Sequence, residues 1–303
     1  MPTDGYHWWY IDALSEDGRR GLTIIAMLGN VFSPYYAWAR RHDRGDPEHY
    51  CALNIALYGP DRTAWAMTER GRKRLQRSAD ELVIGPSGLA WEGDHLNIYI
   101  QEYGAPLPRP VRGVVRVYPE ALPGQEIALD PAGRHRWWPI APLARVEVEM
   151  DRPDLNWSGP GYLDSNGGDE PLEAAFRYWD WSRTRLGADA AVLYDVTRRD
   201  DSQLRLGLRF DPSGRMTPFE PPPRVALPRT FWWRIARGIQ SEDPTQTRIQ
   251  ETLEDTPFYA RSTIAARLCG EPVTAFHESL SLERFDTRWV QLLLPFRMPR
   301  LSG

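Results

Sequence analysis

The chain has 303 residues, enough for one large domain or two medium ones with a substantial core. Its 37 Lys+Arg against 41 Asp+Glu leave a formal charge of −4, which offers no broad basic field to nucleic acid or to an anionic membrane. Cys51 and Cys269 match no metal spacing and sit in apolar runs, so both read as buried thiols rather than a disulfide. The N-terminus lacks the basic region and apolar run of a secretory signal, and no apolar run approaches the ~20 residues of a spanning helix. These features lead us to expect an intracellular protein, soluble or peripherally bound. The 13 Trp and 13 Tyr suggest a large apolar or ring-shaped ligand, because such rings offer wide, rigid contact area.

Taken in order, the first half reads as successive β-strands. Residues 7–12 and 22–28 flank a turn at 15–18, a hairpin pattern. Residues 51–58 and 63–68 flank Gly59-Pro60-Asp61, and residues 89–92 and 96–103 flank Gly93-Asp94. Residues 111–118 follow a proline-rich connector, and residues 144–150 alternate apolar with charged side chains. The best helix candidate is the basic stretch 69–82, which reads equally as a long loop.

The middle of the chain, residues 156–171, shows neither helical nor strand periodicity. It packs four glycines, Pro160, Trp157, Tyr162, Asp164, Asp169 and Glu170 together, and reads as a loop joining two β units. Beyond it, residues 176–181, 190–196, 204–210, 231–239, 258–268, 276–282 and 290–296 read as further strands, and residues 249–255 carry no clear pattern. The expected architecture is all-β, two antiparallel barrels or sandwiches of about equal size, residues 1–155 and 156–303.

Several chemistries find no motif. There is no Gly-x-Gly-x-x-Gly after a strand, no phosphate-binding Gly-x-x-x-x-Gly-Lys, no His-Glu-x-x-His and no Gly-x-Ser-x-Gly elbow. An enzyme of this sequence is expected to work without nucleotide cofactor and without metal. The remaining candidates are acids, histidines and aromatics. His135 precedes Trp137 and Trp138; its plain reading is a packed or capping residue. Alternation places His277 with Ser279 on one strand face and Glu278 with Leu280 on the other, where Glu278 would need an arginine partner if buried. His7, beside Trp8 and Trp9, is equally open. Asp169 and Glu170 read as loop charges organised by an arginine. Acids among tryptophans in a β fold suit two chemistries: a glycoside-cleaving carboxylate pair, or acid catalysis on an apolar substrate with aromatic faces beside a cation. Composition and periodicity do not separate them.

The chain resembles the carotenoid 1,2-hydratases, or hydroxyneurosporene synthases. The resemblance rests on Gly5-Tyr6-His7-Trp8-Trp9-Tyr10-Ile11-Asp12-Ala13-Leu14, Val31-Phe32-Ser33-Pro34-Tyr35-Tyr36-Ala37-Trp38-Ala39 and Cys51-Ala52-Leu53-Asn54. It continues through Trp65-Ala66-Met67-Thr68-Glu69-Arg70, Gly161-Tyr162-Leu163-Asp164-Ser165-Asn166 and Trp179-Asp180-Trp181-Ser182-Arg183. It ends with Phe276-His277-Glu278-Ser279-Leu280-Ser281-Leu282 and Leu294-Pro295-Phe296-Arg297-Met298-Pro299. Some family members carry a longer N-terminal extension, a difference expected to bear on membrane attachment rather than on the fold.

The resemblance implies a pair of lipocalin-like β-barrels and a cofactor-free addition of water to the terminal C1=C2 bond of an acyclic carotenoid such as neurosporene or lycopene. Its catalytic residues match His135, Trp137, Tyr162 and Asp164, with Asp164 as the acid, close to the junction of the two β units. Protonation at C2 leaves a tertiary cation at C1, which Trp137 and Trp157 would stabilise; Tyr162 or His135 would hold the water and His135 would take its proton. Trp8, His277 and Glu278 are further candidates for binding substrate. The implied partners are the carotenoid and a membrane surface, such as an intracytoplasmic membrane, held peripherally, with residues 31–36 as an apolar mouth; no nucleic acid is expected. A non-catalytic lipocalin-like carrier of carotenoid, or a related polyene cyclase, is the alternative.

Overall fold

The computed structural model describes residues 1–60 and 63–301. Two compact units are present: residues 1–171 with the C-terminal stretch from Leu292, and Leu172–Gln291. The first holds β1 (Tyr6–Leu14), β2 (Gly21–Leu28), β3 (Cys51–Tyr58), β4 (Ala64–Arg70), β5 (Leu75–Arg77), β6 (Glu81–Ile84), β7 (Ser87–Glu92) and β8 (His95–Tyr103). It continues with β9 (Pro110–Pro119), β10 (Ile127–Ala128), β11 (His135–Arg152) and β12 (Asp154–Gly168). The second holds β13 (Phe176–Leu186), β14 (Asp189–Arg198), β15 (Gln203–Phe210), β16 (Met216–Phe219), β17 (Arg224–Leu227), β18 (Arg237–Gln240), β19 (Arg248–Asp255), β20 (Tyr259–Leu268) and β21 (Glu271–Ser281). The last strand, β22 (Arg300–Leu301), returns to the first unit and pairs in parallel with β4.

Among the described residues, the first unit is one thirteen-stranded sheet in which β12 lies between β1 and β11. The second contains a seven-stranded sheet and the β17–β18 pair. Apart from the parallel β22, both units are antiparallel, and their sheets are curled, as expected for an all-β chain. Alternation dictates why the first sheet has a core face. Ile11, Ala13, Leu22, Ile24, Leu53, Ile55, Val115, Val146 and Leu163 all enter one apolar cluster. The intervening residues of β1 and β12, among them Tyr10, Asp12, Tyr162 and Asp164, occupy the opposite face, which is also buried.

The central stretch is not a loop. Residues 154–168 form β12, registered against β1 from Gly168 opposite Tyr6 to Gly161 opposite Ala13. Its glycines serve close approach rather than turning: a Cβ on Gly161 would lie 2.2 Å from Val146 Cγ2, and one on Gly159 2.1 Å from the Leu14 carbonyl. The expected boundary at 155/156 therefore moves to 171/172, because β12 bonds both β1 and β11. Two prolines shape the neighbouring strand. Pro139 and Pro142 lack the N–H a ladder needs, and β11 shifts register on both sides of Ala141. Its first residues pair with β10 and its last with β9.

Other expectations change as well. Residues 69–82 finish β4 and form a short 3-10 turn, β5 and the start of β6 instead of a helix. Residues 290–296 are helical rather than extended, and residues 231–236 lie outside any strand. The pattern-poor 249–255 belongs to β19. Residues 31–36 include the start of a helix, Pro34–Arg40, that buries Tyr36, so that segment serves as core. Cys51 is buried as expected, whereas Cys269 is exposed on the turn between β20 and β21. Asp61 of the second expected turn lies outside the described residues.

Candidate active site

β12 carries Tyr162, Asp164 and Asn166 on one face, spaced two residues apart. Opposite them on β1 stand Asp12, Tyr10 and Trp8, respectively. On β11, Trp137 pairs in register with Asn166 and His135 with Gly168. The long extended run of three adjacent strands thus sets a row of aromatic, acidic and imidazole groups on a single buried face.

Asp164 is at its centre. Its Oδ2 accepts hydrogen bonds from Trp137 Nε1 at 2.8 Å and from the Tyr162 hydroxyl at 2.7 Å. All three residues are buried. The Tyr10 ring meets Tyr162 edge-on, centroids 6.2 Å apart. Removal from water favours the neutral carboxyl, while two donors favour the carboxylate, so burial and hydrogen bonding act in opposite directions on this acid. The structure thus brings together three of the four residues expected to be catalytic.

The fourth, His135, is buried in a different set of bonds. Its Nδ1 lies 2.9 Å from the Tyr6 hydroxyl and its Nε2 3.3 Å from Glu170 Oε1. A carboxylate only accepts, so Nε2 carries the proton and Nδ1 accepts from Tyr6. Burial holds the imidazole pKa below its ordinary value, against the opposing pull of the Glu170 bond. Gly168 makes this contact possible, because it stands between Tyr6 and His135 in the ladder. A Cβ there would lie 2.3 Å from the Tyr6 ring and 2.9 Å from His135 Nδ1. Glu170 is held in turn by Arg134 at 2.7 Å, and Asp169 by both terminal nitrogens of Arg136. His135 stands opposite Gly168, four residues beyond Asp164 and roughly 13 Å along the strand.

The other candidates fall elsewhere. Trp8 stacks on Tyr6, centroids 4.9 Å apart, and shares the face of Asp164. Trp157 does not: seven residues before Asp164 it projects to the other side and packs against the apolar cluster. His7 also faces away; its Nε2 lies 2.7 Å from Ser165 Oγ, and burial lowers its pKa to about 4. His277 and Glu278 belong to the second unit. His277 Nε2 lies 3.2 Å from Ser279 Oγ, which donates to Asp180, and burial pushes the imidazole down to about 3. Asp180 itself is raised to about 6 by burial, with Arg224 at 2.7 Å pulling the other way. Glu278 is the arginine partner that alternation suggested, bound by Arg261, which also holds Glu254 at 2.8 Å.

Sequence reasoning missed Tyr6, Tyr10, Asp12, Gly168 and the attachment of Glu170 to His135. The signal was present in residues 6–12, where Tyr6, Trp8, Tyr10 and Asp12 recur at every second position. Among the described residues, no three His, Cys, Asp or Glu side chains are grouped as a metal ion would require.

The fold places the chain among lipocalin-like β proteins. An AttH candidate from Nitrosomonas europaea superposes with a TM-score of 0.62 at 14% identity, covering 92% of each chain. CghA, solved with Sch210972, gives 0.59 at 11% identity over 92% of this chain and 89% of that one. The particular family follows from sequence. The family model described as "Carotenoid hydratase CrtC" matches residues 24–303. The acyclic carotenoid 1,2-hydratase of Thiocapsa roseopersicina is 59% identical over 99% of this chain and 74% of its own length. That of Rubrivivax gelatinosus is 54% identical over the same shares, and that of Cereibacter sphaeroides 38% over 92% and 99%. The chain belongs to the carotenoid hydratase family and is a hydro-lyase of the acyclic carotenoid 1,2-hydratase kind.

Proposed function

We propose that the enzyme adds water across the terminal C1=C2 bond of an acyclic carotenoid such as neurosporene or lycopene, with Asp164 as the proton donor. The observation that carries this reading is a buried carboxyl whose Oδ2 is held by Trp137 and Tyr162. Protonated Asp164 gives its proton to C2, and the π electrons of the double bond form the new C2–H bond. The resulting tertiary cation at C1 lies against aromatic surface; a desolvated indole such as Trp137 stabilises such a cation by about 2 kcal/mol. The carboxylate left behind is stabilised by the same two donors, which makes Asp164 a stronger acid than burial alone would allow. Water then attacks C1, and its surplus proton returns to the Asp164 carboxylate, closing the cycle. No net proton is consumed.

For His135 the proposal assigns a different role from the expected one. With Nε2 on Glu170 and Nδ1 on Tyr6, His135 is a positioning residue that braces Tyr6 beside Trp8, rather than the acceptor of the water proton. Trp8 remains a candidate substrate contact on the shared face. Trp157 packs against the apolar cluster, His277 bonds Ser279 and Glu278 bonds Arg261, so the proposal gives the contact on this face to Trp8.

The substrate is a hydrocarbon that resides in a bilayer, and among the described residues no helix is long and apolar enough to cross one. The reading therefore includes an intracellular enzyme docked peripherally on a membrane that draws in one end of the polyene. The test is incubation of the purified chain with dispersed neurosporene or lycopene in water enriched in heavy oxygen. The expected product gains one water carrying the label. An unchanged mass would leave a carrier or a cyclase, and an unlabelled oxygen would require an oxygenase.

A further inference from the structure

The second unit contains a feature that the hydration chemistry does not use. A cavity of about 490 Å³ is lined by Arg205, Arg224, Arg229, Arg234 and Arg284, with Asp180 and Asp195 as its only carboxylates among the described lining residues. Asp180 and Asp195 lie within 3.8 Å of Arg224 or Arg205. Among the described residues, no carboxylate pairs with Arg229, Arg234 or Arg284. Arg229 donates to the Arg234 carbonyl at 3.2 Å and Arg284 to the Trp233 carbonyl at 2.5 Å, which leaves further N–H groups of both guanidinium forks for a ligand.

The loop between Arg229 and Arg234 carries the most exposed aromatic pair in the chain. Phe231 and Trp232 are each 77% exposed and meet edge-on, centroids 4.9 Å apart. They are not loosely held. Thr230 and Ile235 close the loop through bonds of 3.0 and 2.8 Å, Asp255 accepts from the backbone of Trp232 at 2.7 Å, and Trp233 stacks on Trp289. A braced tip that presents Phe and Trp to solvent, flanked by unpaired arginines, combines the two features of an interfacial anchor: amphipathic rings for the headgroup layer, and cations for its phosphates.

We propose that residues 228–236, with the arginine-lined cavity they border, are the element by which the enzyme docks on an anionic phospholipid surface. Phe231 and Trp232 enter the headgroup layer, and the cavity takes a lipid phosphate through Arg229, Arg234 and Arg284. This rests on the reading that the enzyme works at a membrane. It also reconciles that reading with a net charge of −4, since the positive field is local.

Flotation of the full chain with phosphatidylcholine vesicles, with and without phosphatidylglycerol, tests it. The wild type is expected to float with the anionic vesicles and far less with the neutral ones. The R229Q/R234Q variant loses roughly fivefold in partitioning for each charge removed, on anionic vesicles only. The F231S/W232S variant loses binding to both kinds. Both variants keep wild-type turnover of detergent-dispersed carotenoid, which separates docking from chemistry. If the wild type stays with the pellet while hydrating dispersed substrate, the membrane reading itself fails. If the wild type floats and both variants float equally well, only the assignment to this loop fails. If inorganic phosphate alone stabilises the wild type but not R229Q/R234Q, and vesicle charge has no effect, the cavity serves a soluble anion and the docking proposal is overturned.

Discussion

At the scale of single residues the account turns on how the two donors act on Asp164. Both bonds favour the charged form of the carboxyl, so removing either raises its pKa. Turnover requires the protonated acid, and it falls as pH rises through that pKa. Tyr162→Phe is therefore expected to move the descending limb of the pH–kcat profile to higher pH while lowering the plateau, because a weaker acid transfers its proton more slowly; a loss of about tenfold or more fits general-acid behaviour. A limb that moves to lower pH would contradict the direction assigned to the bond. His135→Gln and Tyr6→Phe both break the Tyr6–His135 bond, and the first also removes the imidazole from Glu170. Each is expected to lower kcat to a similar extent, their combination little further, and neither to displace the limb; a profile displaced by His135→Gln would give the imidazole a titrating role.

At the scale of elements, β12 shows why alternation was legible and chemistry was not. Strands with a single buried face, such as β8 and β15, declare themselves by alternation, and the wholly buried β2 by its continuous apolar, β-branched run. β12 does not, because its inner stretch buries polar and acidic side chains in place of an apolar run, and its glycines answer to neighbours distant in sequence. Gly168 illustrates the point: nothing local requires glycine there, yet Tyr6 and His135 meet over it. Gly168→Ala is expected to separate them, costing about 1–3 kcal/mol of stability by an overpacking mechanism and lowering turnover, measured by denaturant unfolding and by product formation. The helix at residues 288–293 was missed for the converse reason, since its short apolar run suits a strand equally well. Within β21, His277 is kept neutral in the folded protein by burial, with a pKa of about 3. Its folded pKa is depressed below the unfolded value of about 6.5, so the unfolded chain binds the extra proton and stability falls as pH drops through that window. Replacing His277 with Gln should flatten the pH dependence of unfolding between about pH 6 and 4, by up to about 1.4 kcal/mol per pH unit. An unchanged slope would mean the imidazole is not held neutral.

At the scale of the whole molecule, the all-β, lipocalin-like class was legible from turn spacing, and the family from motifs spread over most of the chain. The division was less so, because the last residues return to the first unit. There β22 pairs with β4, and Arg300 forms an ion pair with the buried Glu69, a carboxyl that burial pushes upward in pKa. Arg300→Ala should cost about 3 kcal/mol in unfolding free energy, because it strands that carboxylate. No local pattern could reveal a partner 231 positions away.

The most direct test of the central claim is Asp164→Asn. The amide preserves shape and a hydrogen-bonding oxygen for Trp137 and Tyr162 but cannot deliver the proton. With dispersed neurosporene or lycopene, the account predicts an unchanged melting profile and no product carrying an added water. Near-normal hydration by the folded variant would remove Asp164 from the mechanism.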